Sequence, residues 1–257
     1  MIMKKLKAIA KSRIFQYGLG LLFFVALWEI VAYATGLLFL PEFFQTFSLA
    51  FSKLGEELTY SALGYSFLRL FVALLGSGIL GLVLGTLAGY YEPLGRVLSP
   101  TIAVLRAFPT IALILLLIVF VPQTAIWVVS LVLFPVLYQA SLSGSRRVYK
   151  DYEMILRLKG KNNLSNITRI ILPLSMDYVL LGWTQSMGLG LKIVIMAETF
   201  TFRTNQLGIG NLINSSYQNL NYPDMMAYVL ISLLVILLLD SLLHFAKKTL
   251  QGKKKEE

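Results

Sequence analysis

The sequence contains no cysteine and only one histidine, His244, among its 257 residues. Disulfide bonds and thiolate metal sites are therefore excluded, and a metal site built on several histidines is excluded as well. Charged residues are also scarce, at 14% of the chain against the usual quarter. With 57% hydrophobic residues, this balance indicates a polytopic membrane protein rather than a soluble one.

The phosphate-binding loop of ATPases, G-x-x-x-x-G-K-[ST], is also missing. The only Gly-Lys pairs are at 160–161 and 252–253, and neither is preceded by a glycine five residues earlier. Without that glycine the chain has no nest of backbone amides for ATP phosphates. Neither a metal-ligand cluster nor a nucleophile–base pair can be picked out. We therefore expect no enzymatic activity, no catalytic residue, no metal and no cofactor bound by the chain itself.

Six apolar stretches are long enough, or nearly so, to cross a bilayer, which takes about 20 residues of helix. They cover approximately 17–38, 62–89, 101–121, 124–143, 173–197 and 226–246. We predict an all-α membrane protein with six transmembrane helices in a single transmembrane domain over 17–246, between basic tails at 1–16 and 247–257. The third and fourth stretches meet at Val121-Pro122-Gln123, which predicts a tight helical hairpin.

The formal net charge of +10 would suit nucleic-acid binding, but the cations are concentrated in the two tails and in one segment between apolar stretches. Five Lys or Arg lie in the N-terminal tail, seven in the segment 144–172 and five in the C-terminal tail, against one each in 39–61 and 198–225. The positive-inside rule therefore predicts that both termini and the segment 144–172 are cytoplasmic. This topology requires an even number of spans, and no nucleic-acid partner is expected.

The segment 144–172 is the only long polar stretch between apolar runs, and it predicts two short helices. Apolar residues recur there at intervals of three and four, which is typical of an amphipathic helix: Tyr149, Tyr152, Ile155 and Leu156. We expect this helix to run from about Tyr149 to Lys159, with Glu153 and Arg157 four apart as a brace, and to end at Gly160. A second helical stretch, from about Leu164, leads to Pro173, which can open the next helix.

Two interpretations of this segment are open. The first is a cytosolic docking element through which a partner moves the membrane helices, with the apolar side chains buried in a groove of that partner. The second is an amphipathic helix that rests on the lipid surface, for which the cations are also suited.

Ionisable residues inside or at the ends of the predicted spans are candidates for a substrate pathway: Glu29, Arg69, Lys192 and Glu198. A charge near the bilayer centre costs about 2.5–3.5 kcal/mol on insertion scales, so it needs a reason. For the first three residues the alternative is pairing within the bundle, with each other or with backbone carbonyls. For Glu198, at the outer end of the fifth span, the alternative is an ordinary solvated helix end.

Glycines of the second predicted span repeat every four residues at Gly81, Gly85 and Gly89. Such a repeat forms a smooth ridge on a helix, which lets another backbone approach closely. We predict helix packing there, and a pore-lining role is the alternative.

The segment 144–172 resembles the signature E-A-A-x3-G-x9-I-x-L-P of bacterial ABC-transporter permease subunits. Gly160, Ile170, Leu172 and Pro173 have the required spacing. The E-A-A positions hold Met-Ile-Leu at 154–156 instead, with Glu153 one place early.

Further motifs place the resemblance nearest the nitrate/sulfonate/taurine permeases, over nearly the whole chain. They are Leu-Trp-Glu at 27–29, Ser-Phe-Leu-Arg at 66–69, Leu-Arg-Ala-Phe-Pro at 105–109, Phe-Pro at 134–135 and Ala-Glu at 197–198. Their order and spacing carry the resemblance, since each motif alone is weak.

The resemblance implies a binding-protein-dependent, MetI-like permease in a bacterial inner membrane. It implies a partner permease subunit, identical or different, two cytosolic ABC ATPases that bind ATP and dock on the segment 144–172, and an extracytoplasmic solute-binding protein. A small solute, often anionic or heterocyclic, would cross by alternating access. The alternatives are a stand-alone channel or secondary carrier, and a membrane scaffold that recruits soluble partners.

Overall fold

The computed structural model describes residues 13–36, 40–158, 164–201 and 206–253, and no β-strand occurs within these ranges. The helices are α1 (Arg13–Ala34), α2 (Phe43–Leu54), α3 (Glu57–Tyr90), α4 (Glu92–Ala107), α5 (Thr110–Phe120), α6 (Thr124–Asp151), α7 (Glu153–Leu158), α8 (Leu164–Asn166), α9 (Leu172–Phe200), α10 (Ile209–Gln218) and α11 (Tyr222–Lys253). A π-helical turn, Ile167–Ile171, joins α8 to α9. The predicted all-α fold is confirmed.

Within the described ranges, five helical stretches are long and apolar enough to cross a membrane: Phe15–Ala34, Glu57–Tyr90, Thr124–Asp151, Ile167–Phe200 and Tyr222–Phe245. Helices α4 and α5 together pass the same test, but they are bent by 93°. The predicted span over 101–121 is thus bent between α4 and α5, and the predicted six spans are obtained when the bent pair counts as one. The break falls at Phe108, whose ψ of 125° is extended because Pro109 follows it.

The short connection between α5 and α6 forms the predicted hairpin. It consists of Val121, Pro122 and Gln123, and Gln123 adopts the left-handed conformation with φ of 60°. The hydroxyl of Thr124 donates a hydrogen bond to the carbonyl of Val121 at 2.9 Å, which closes the turn at the start of α6.

Helix α3 packs along α6 through the glycine ridge, as the four-residue spacing predicts. A Cβ placed on Gly85 would lie 2.5 Å from the carbonyl oxygen of Tyr138, and one on Gly89 would lie 2.5 Å from the Cβ of Ser145. The two backbones therefore approach each other as closely as glycine allows. The ridge is occupied by α6, which rules out a pore lining at these glycines.

The main core lies where α3, α6, α9 and α11 meet. Its fully buried members include Leu74, Leu133, Leu191 and Ile231, one from each of these helices. Between membrane helices, close van der Waals packing of such side chains stabilises the contact, since lipid is as apolar as the core itself.

The bundle has two distinct ends. At one, called the α7 end, Tyr90 of α3, Val148 of α6 and Ile167 of the π-helical turn pack together beside α7. At the other, called the α10 end, Lys53 of α2 forms an ion pair with Asp224 of α11, 3.1 Å apart. The segment 144–172 is thus partly regular helix, because α6 continues to Asp151 before the chain turns at the α7 end.

Candidate functional site

The first candidate site is α7 and the chain that leads into it. The predicted helix from Tyr149 does not begin there, because Tyr149 still belongs to α6 and α7 begins at Glu153. Tyr149 is half-buried, and its ring stands edge-on to that of Tyr90 with centroids 5.5 Å apart. Tyr149 therefore packs partly against the bundle, and its predicted role in docking stays a prediction.

Leu156 fastens α7 to the rest of the bundle. Its side chain is 1% exposed and packs in a cluster with Tyr90, Val148, Ile167 and Ile171. The prediction that Leu156 offers apolar area to a partner is wrong, because a side chain that is 1% exposed has almost no accessible surface to bury against a partner. Its role in the fold is to link α7 to α3, α6 and the π-helical turn.

Three neighbouring apolar side chains of this segment remain exposed. Tyr152 is 39%, Met154 81% and Ile155 50% exposed. We call these three residues the apolar tip. Tyr152 and Ile155 keep the exposed position that the sequence predicted for them, whereas Met154 was missed because it stands at the Glu position of the family signature. Glu153, between them, is half-buried.

The segment between α7 and α9 follows the prediction in part. A helical stretch does begin at Leu164, but Pro173 is the second residue of α9 and does not open a new helix. A proline cannot donate a backbone hydrogen bond, and its ring displaces the carbonyl four residues earlier. The preceding turn widens accordingly, so that the amide of Leu172 bonds to the carbonyl of Ile167 in the π-helical pattern.

Two of the predicted docking residues cannot be placed. Gly160 lies outside the described residues, and the same is true of the side chain of Arg157. The predicted turn at Gly160 and the predicted brace between Glu153 and Arg157 therefore stay predictions.

The second candidate site lies at the α10 end, where Arg69 and Glu198 are brought together. Nη1 of Arg69 donates to Oε1 of Glu198 at 2.5 Å, and the Oγ of Ser66 donates to Oε2 at 2.7 Å. The backbone amide of Gly210 also donates to Oε2, at 3.1 Å. Glu198 is 1% and Arg69 6% exposed, so the alternative of a solvated helix end for Glu198 is wrong.

The same carboxylate closes the N-terminus of α10. Free backbone amides at a helix start favour a negative charge, and here Glu198 supplies it to Gly210. The approach requires glycine at two positions, because a Cβ on Gly208 would lie 2.5 Å from Cδ of Glu198 and one on Gly210 would lie 2.7 Å from its Cβ. Gly208 is extended and Ile209 begins the helix, so Gly208 is the N-cap residue of α10.

The other two predicted pathway residues do not join this network. Glu29 accepts a hydrogen bond from the backbone amide of Phe43 at 3.1 Å, and it thereby caps the start of α2. Glu29 is therefore paired within the bundle, which was the alternative to a pathway role, but its partner is a backbone amide and not a carbonyl. Lys192 is exposed on the surface of α9.

An open cleft of about 620 Å³ adjoins Arg69 at the α10 end. Its lining combines polar and apolar side chains: Tyr65, Leu68, Arg69, Val72, Gln123, Ile126, Gln206 and Leu207. Sequence reasoning singled out only Arg69 among them. Tyr65 could have been found from its helical spacing of four from Arg69, but nothing local marks the glutamines, which come from distant parts of the chain.

The family follows from a comparison with known sequences. Residues 77–255 match the model of the family described as the binding-protein-dependent transport system inner membrane component. The chain belongs to this family. The resemblance drawn from the motifs is thereby confirmed.

Several curated members of related transport systems are similar to this member of the family. It is 26% identical over 190 residues to the nitrate import permease protein NrtB of Leptolyngbya laminosa, which covers 69% of this chain and 63% of NrtB. It is 27% identical to the bicarbonate transport system permease protein CmpB of Synechococcus elongatus, covering 64% of this chain and 59% of CmpB. The matches thus span about three fifths of these two relatives.

A third relative and one solved structure extend the comparison. The putative aliphatic sulfonates transport permease protein SsuC of Bacillus subtilis is 27% identical over 78% of this chain and 69% of SsuC. A chain in the crystal structure of an amino acid ABC transporter with histidines shares the fold, with a TM-score of 0.62 and 17% identity. The alignment covers 78% of this chain and 97% of the other. The fold of this family member is therefore that of an ABC-transporter permease.

Proposed function

We propose that the chain is the transmembrane permease subunit of an ATP-driven ABC importer in a bacterial inner membrane. ATP is bound and hydrolysed by two separate cytosolic ABC ATPases, and an extracytoplasmic protein delivers a small polar solute. A second permease subunit, identical or different, completes the pathway. The family match and the relatives named for nitrate, bicarbonate and sulfonates support this assignment.

The apolar tip on α7 is the observation that carries the proposal. Met154 and Ile155 expose most or half of their side chains at an end of the bundle that also carries Arg146, Arg147 and Lys150. The positive-inside rule assigns that end to the cytoplasm. Clustered apolar side chains facing water mark an interaction site, and a groove on the ATPase is the partner that suits them.

The anchoring of α7 supplies the coupling. Leu156 sits among residues of α3, α6 and the π-helical turn, so a pull on the apolar tip displaces three elements together. Packed interiors move as rigid bodies between discrete arrangements, which is the requirement for alternating access. ATP binding in the partner would draw α7 inward, and hydrolysis would release it.

A stand-alone channel or secondary carrier is the second candidate class. In that case α7 would rest on the lipid surface. A carrier needs a coupling-ion site near the midplane. The buried ion pair between Arg69 and Glu198 is at the α10 end instead, where it caps a helix. A carrier function also gives no reason for the exposure of the apolar tip.

The test is a pair of variants in the assembled transporter. Met154→Glu with Ile155→Asp should abolish co-purification of the ATPase and solute-stimulated ATP hydrolysis while the permease keeps its wild-type thermal stability. Lys150→Gln, a change at an exposed side chain three residues before α7 begins, is the matched control and should leave both intact.

A third variant separates docking from anchoring. Leu156→Ala should lower the free energy of unfolding by about 2–5 kcal/mol, as expected for a large apolar side chain deleted from a buried site. Wild-type ATPase association in the Met154 and Ile155 double variant would remove α7 from the coupling role, and the importer assignment would lose its main structural support.

A further inference from the structure

The cleft beside Arg69 has the dimensions and the mixed lining of a small-molecule site. Its volume of about 620 Å³ falls within the range of about 300–1,000 Å³ that is usual for ligand pockets. Leu68, Val72, Ile126 and Leu207 supply apolar surface, and the polar groups are few. Such a lining favours an organic solute with an apolar body over a bare inorganic ion.

The polar groups of the cleft both donate and accept hydrogen bonds. Gln123 and Gln206 carry amides with two donors and one acceptor oxygen each, and Tyr65 carries a hydroxyl that does both. Arg69 has five N–H donors, of which Glu198 engages the Nη1 group, and its side chain also lines the cleft. A matching solute therefore needs acceptors and donors together, as an amide or a nitrogen heterocycle has.

The charge balance argues against an anion. Among the described residues that line the cleft, Arg69 is the only cation, and the carboxylate of Glu198 already neutralises it. An oxyanion placed there would be a second negative charge facing a single guanidinium whose charge is already balanced. Any part of that charge removed from water without a counter-charge is unfavourable. Arg203, the nearest other cation in the sequence, lies outside the described residues.

Gln123, one of the two glutamines that line the cleft, has an energetically unfavourable backbone conformation. Its φ of 60° is left-handed, which is uncommon for a residue other than glycine, asparagine or aspartate. Strained backbone of this kind is concentrated at binding and catalytic sites, where the surroundings enforce it. Here the turn before α6 holds Gln123 in this conformation, where it lines the cleft together with Arg69 of α3.

We propose that this cleft binds the transported solute at the α10 end, and that the solute is an uncharged organic molecule with amide-like donors and acceptors. This inference rests on the importer function proposed above and narrows it. The relatives are named for nitrate, bicarbonate and aliphatic sulfonates, so the proposal separates this chain from them by the chemistry of its cleft.

The experiment measures the thermal unfolding midpoint of the permease–ATPase complex in lipid nanodiscs with four probes. Cytosine and nicotinamide are the uncharged probes, and nitrate and ethanesulfonate are the anionic ones. A ligand that binds only the folded state stabilises it by RT ln(1 + [L]/Kd) and so raises the midpoint, and probes at about 10 mM reveal even weak binding. We expect a shift from at least one uncharged probe and none from either anion.

Variants then assign the shift to the cleft. Gln206→Ala and Gln123→Gly should each weaken the apparent affinity about tenfold, since each removes a hydrogen-bonding partner from a bound polar group. Glycine is chosen at position 123 because it tolerates the positive φ and so removes the amide without new strain. Asn219→Ala, which removes an exposed amide outside the cleft, is the control and should leave the affinity unchanged.

Three outcomes overturn the inference: a shift with an anion alone, no shift with any probe, and a shift that neither glutamine variant reduces. Co-purification of the ATPase is scored on the same samples. If the ATPase is present and the uncharged probes fail, the solute class is wrong while the importer function stands. If the ATPase is absent, the importer function itself fails.

Discussion

Arg69 and Glu198 are 129 residues apart in the sequence and form an ion pair between α3 and α9, with Nη1 and Oε1 2.5 Å apart. Their side chains are 8% and 1% exposed. Removing two charges from water costs several kcal/mol for each, so pairing alone does not suffice. The carboxylate is also satisfied by Ser66 and by the amide of Gly210, which ties α10 to the same point.

Glu198→Gln should destabilise the permease strongly. The change leaves the guanidinium of Arg69 buried without a counter-charge, for which we expect a loss of about 3–5 kcal/mol in the free energy of unfolding. Thermal or denaturant unfolding in detergent measures it. Glu57→Gln, at an exposed glutamate in the first turn of α3, is the matched control and should change little.

The double variant Arg69→Met with Glu198→Gln extends this prediction. It removes both charges, so it should be more stable than Glu198→Gln alone. If the double variant loses the sum of the two single losses, the two side chains act independently and the ion pair does not explain their burial.

Two glycines of α3 should respond in opposite directions to the same substitution. Gly85→Ala places a Cβ 2.5 Å from the carbonyl oxygen of Tyr138 and 2.7 Å from the Cβ of Ser141, which forces α3 and α6 apart. We expect a loss of about 1–3 kcal/mol from this overpacking. Gly76→Ala meets no atom within 4 Å and should gain up to about 1 kcal/mol from helix propensity. Equal effects at the two positions would contradict the packing.

The ion pair of Lys53 should make stability depend on pH in the alkaline range. Burial lowers the pKa of Lys53, but hydrogen bonds to Asp224 and Glu56 outweigh that effect and raise the pKa above its ordinary value of 10.5. A group whose pKa is raised by folding stabilises the protein fully below its unfolded-state pKa. That stabilisation is lost as the pH rises through the folded-state value.

Unfolding midpoints measured between about pH 9 and about pH 12 cover the range in which this stabilisation is lost. The wild type should lose more stability over this range than Lys53→Met, which has no charge to lose. Lys150→Met, at an exposed lysine of α6, should follow the wild-type profile. Identical profiles for the wild type and Lys53→Met would show that the contact between α2 and α11 does not depend on the lysine charge.

The orientation of the two ends is open to direct measurement because the chain has no cysteine. Ser52→Cys in α2 and Asp151→Cys at the end of α6 both place a thiol at an exposed position. With a thiol reagent that does not cross membranes, Ser52→Cys should label in intact cells and Asp151→Cys only after permeabilisation. The reverse pattern would place the α7 end outside and exclude docking of a cytosolic ATPase.

The membrane helices and their main contact could be predicted from the sequence because both depend on local patterns. Apolar runs of bilayer length mark the spans, and the four-residue spacing of Gly81, Gly85 and Gly89 marks the side of α3 that meets α6. The bend between α4 and α5 was missed although Pro109 was visible. The apolar run continues through the proline, so hydrophobicity alone predicts one span, although the extended Phe108 before Pro109 breaks the helix.

The candidate sites were predictable only as lists of residues. Four ionisable side chains stood out, and nothing in the sequence could select Arg69 and Glu198 as partners over Glu29 and Lys192, because the pairing joins distant segments. In α7, Ile155 and Leu156 are adjacent apolar residues of equal size. Which of them points inward depends on where α6 ends, and the sequence placed the start of the short helix four residues too early.

The close contact of α3 with α6 makes these two helices one rigid rod. The 34 residues of α3 span about 50 Å at 1.5 Å per residue. A tilt of this rod by about 5° around its midpoint moves each tip by about 2 Å, in opposite directions. Tyr90 and Val148, which hold Leu156, lie toward one tip, and Arg69 and Gln123 lie toward the other. Inward movement of α7 would therefore be coupled to outward movement of the cleft-side end of α3.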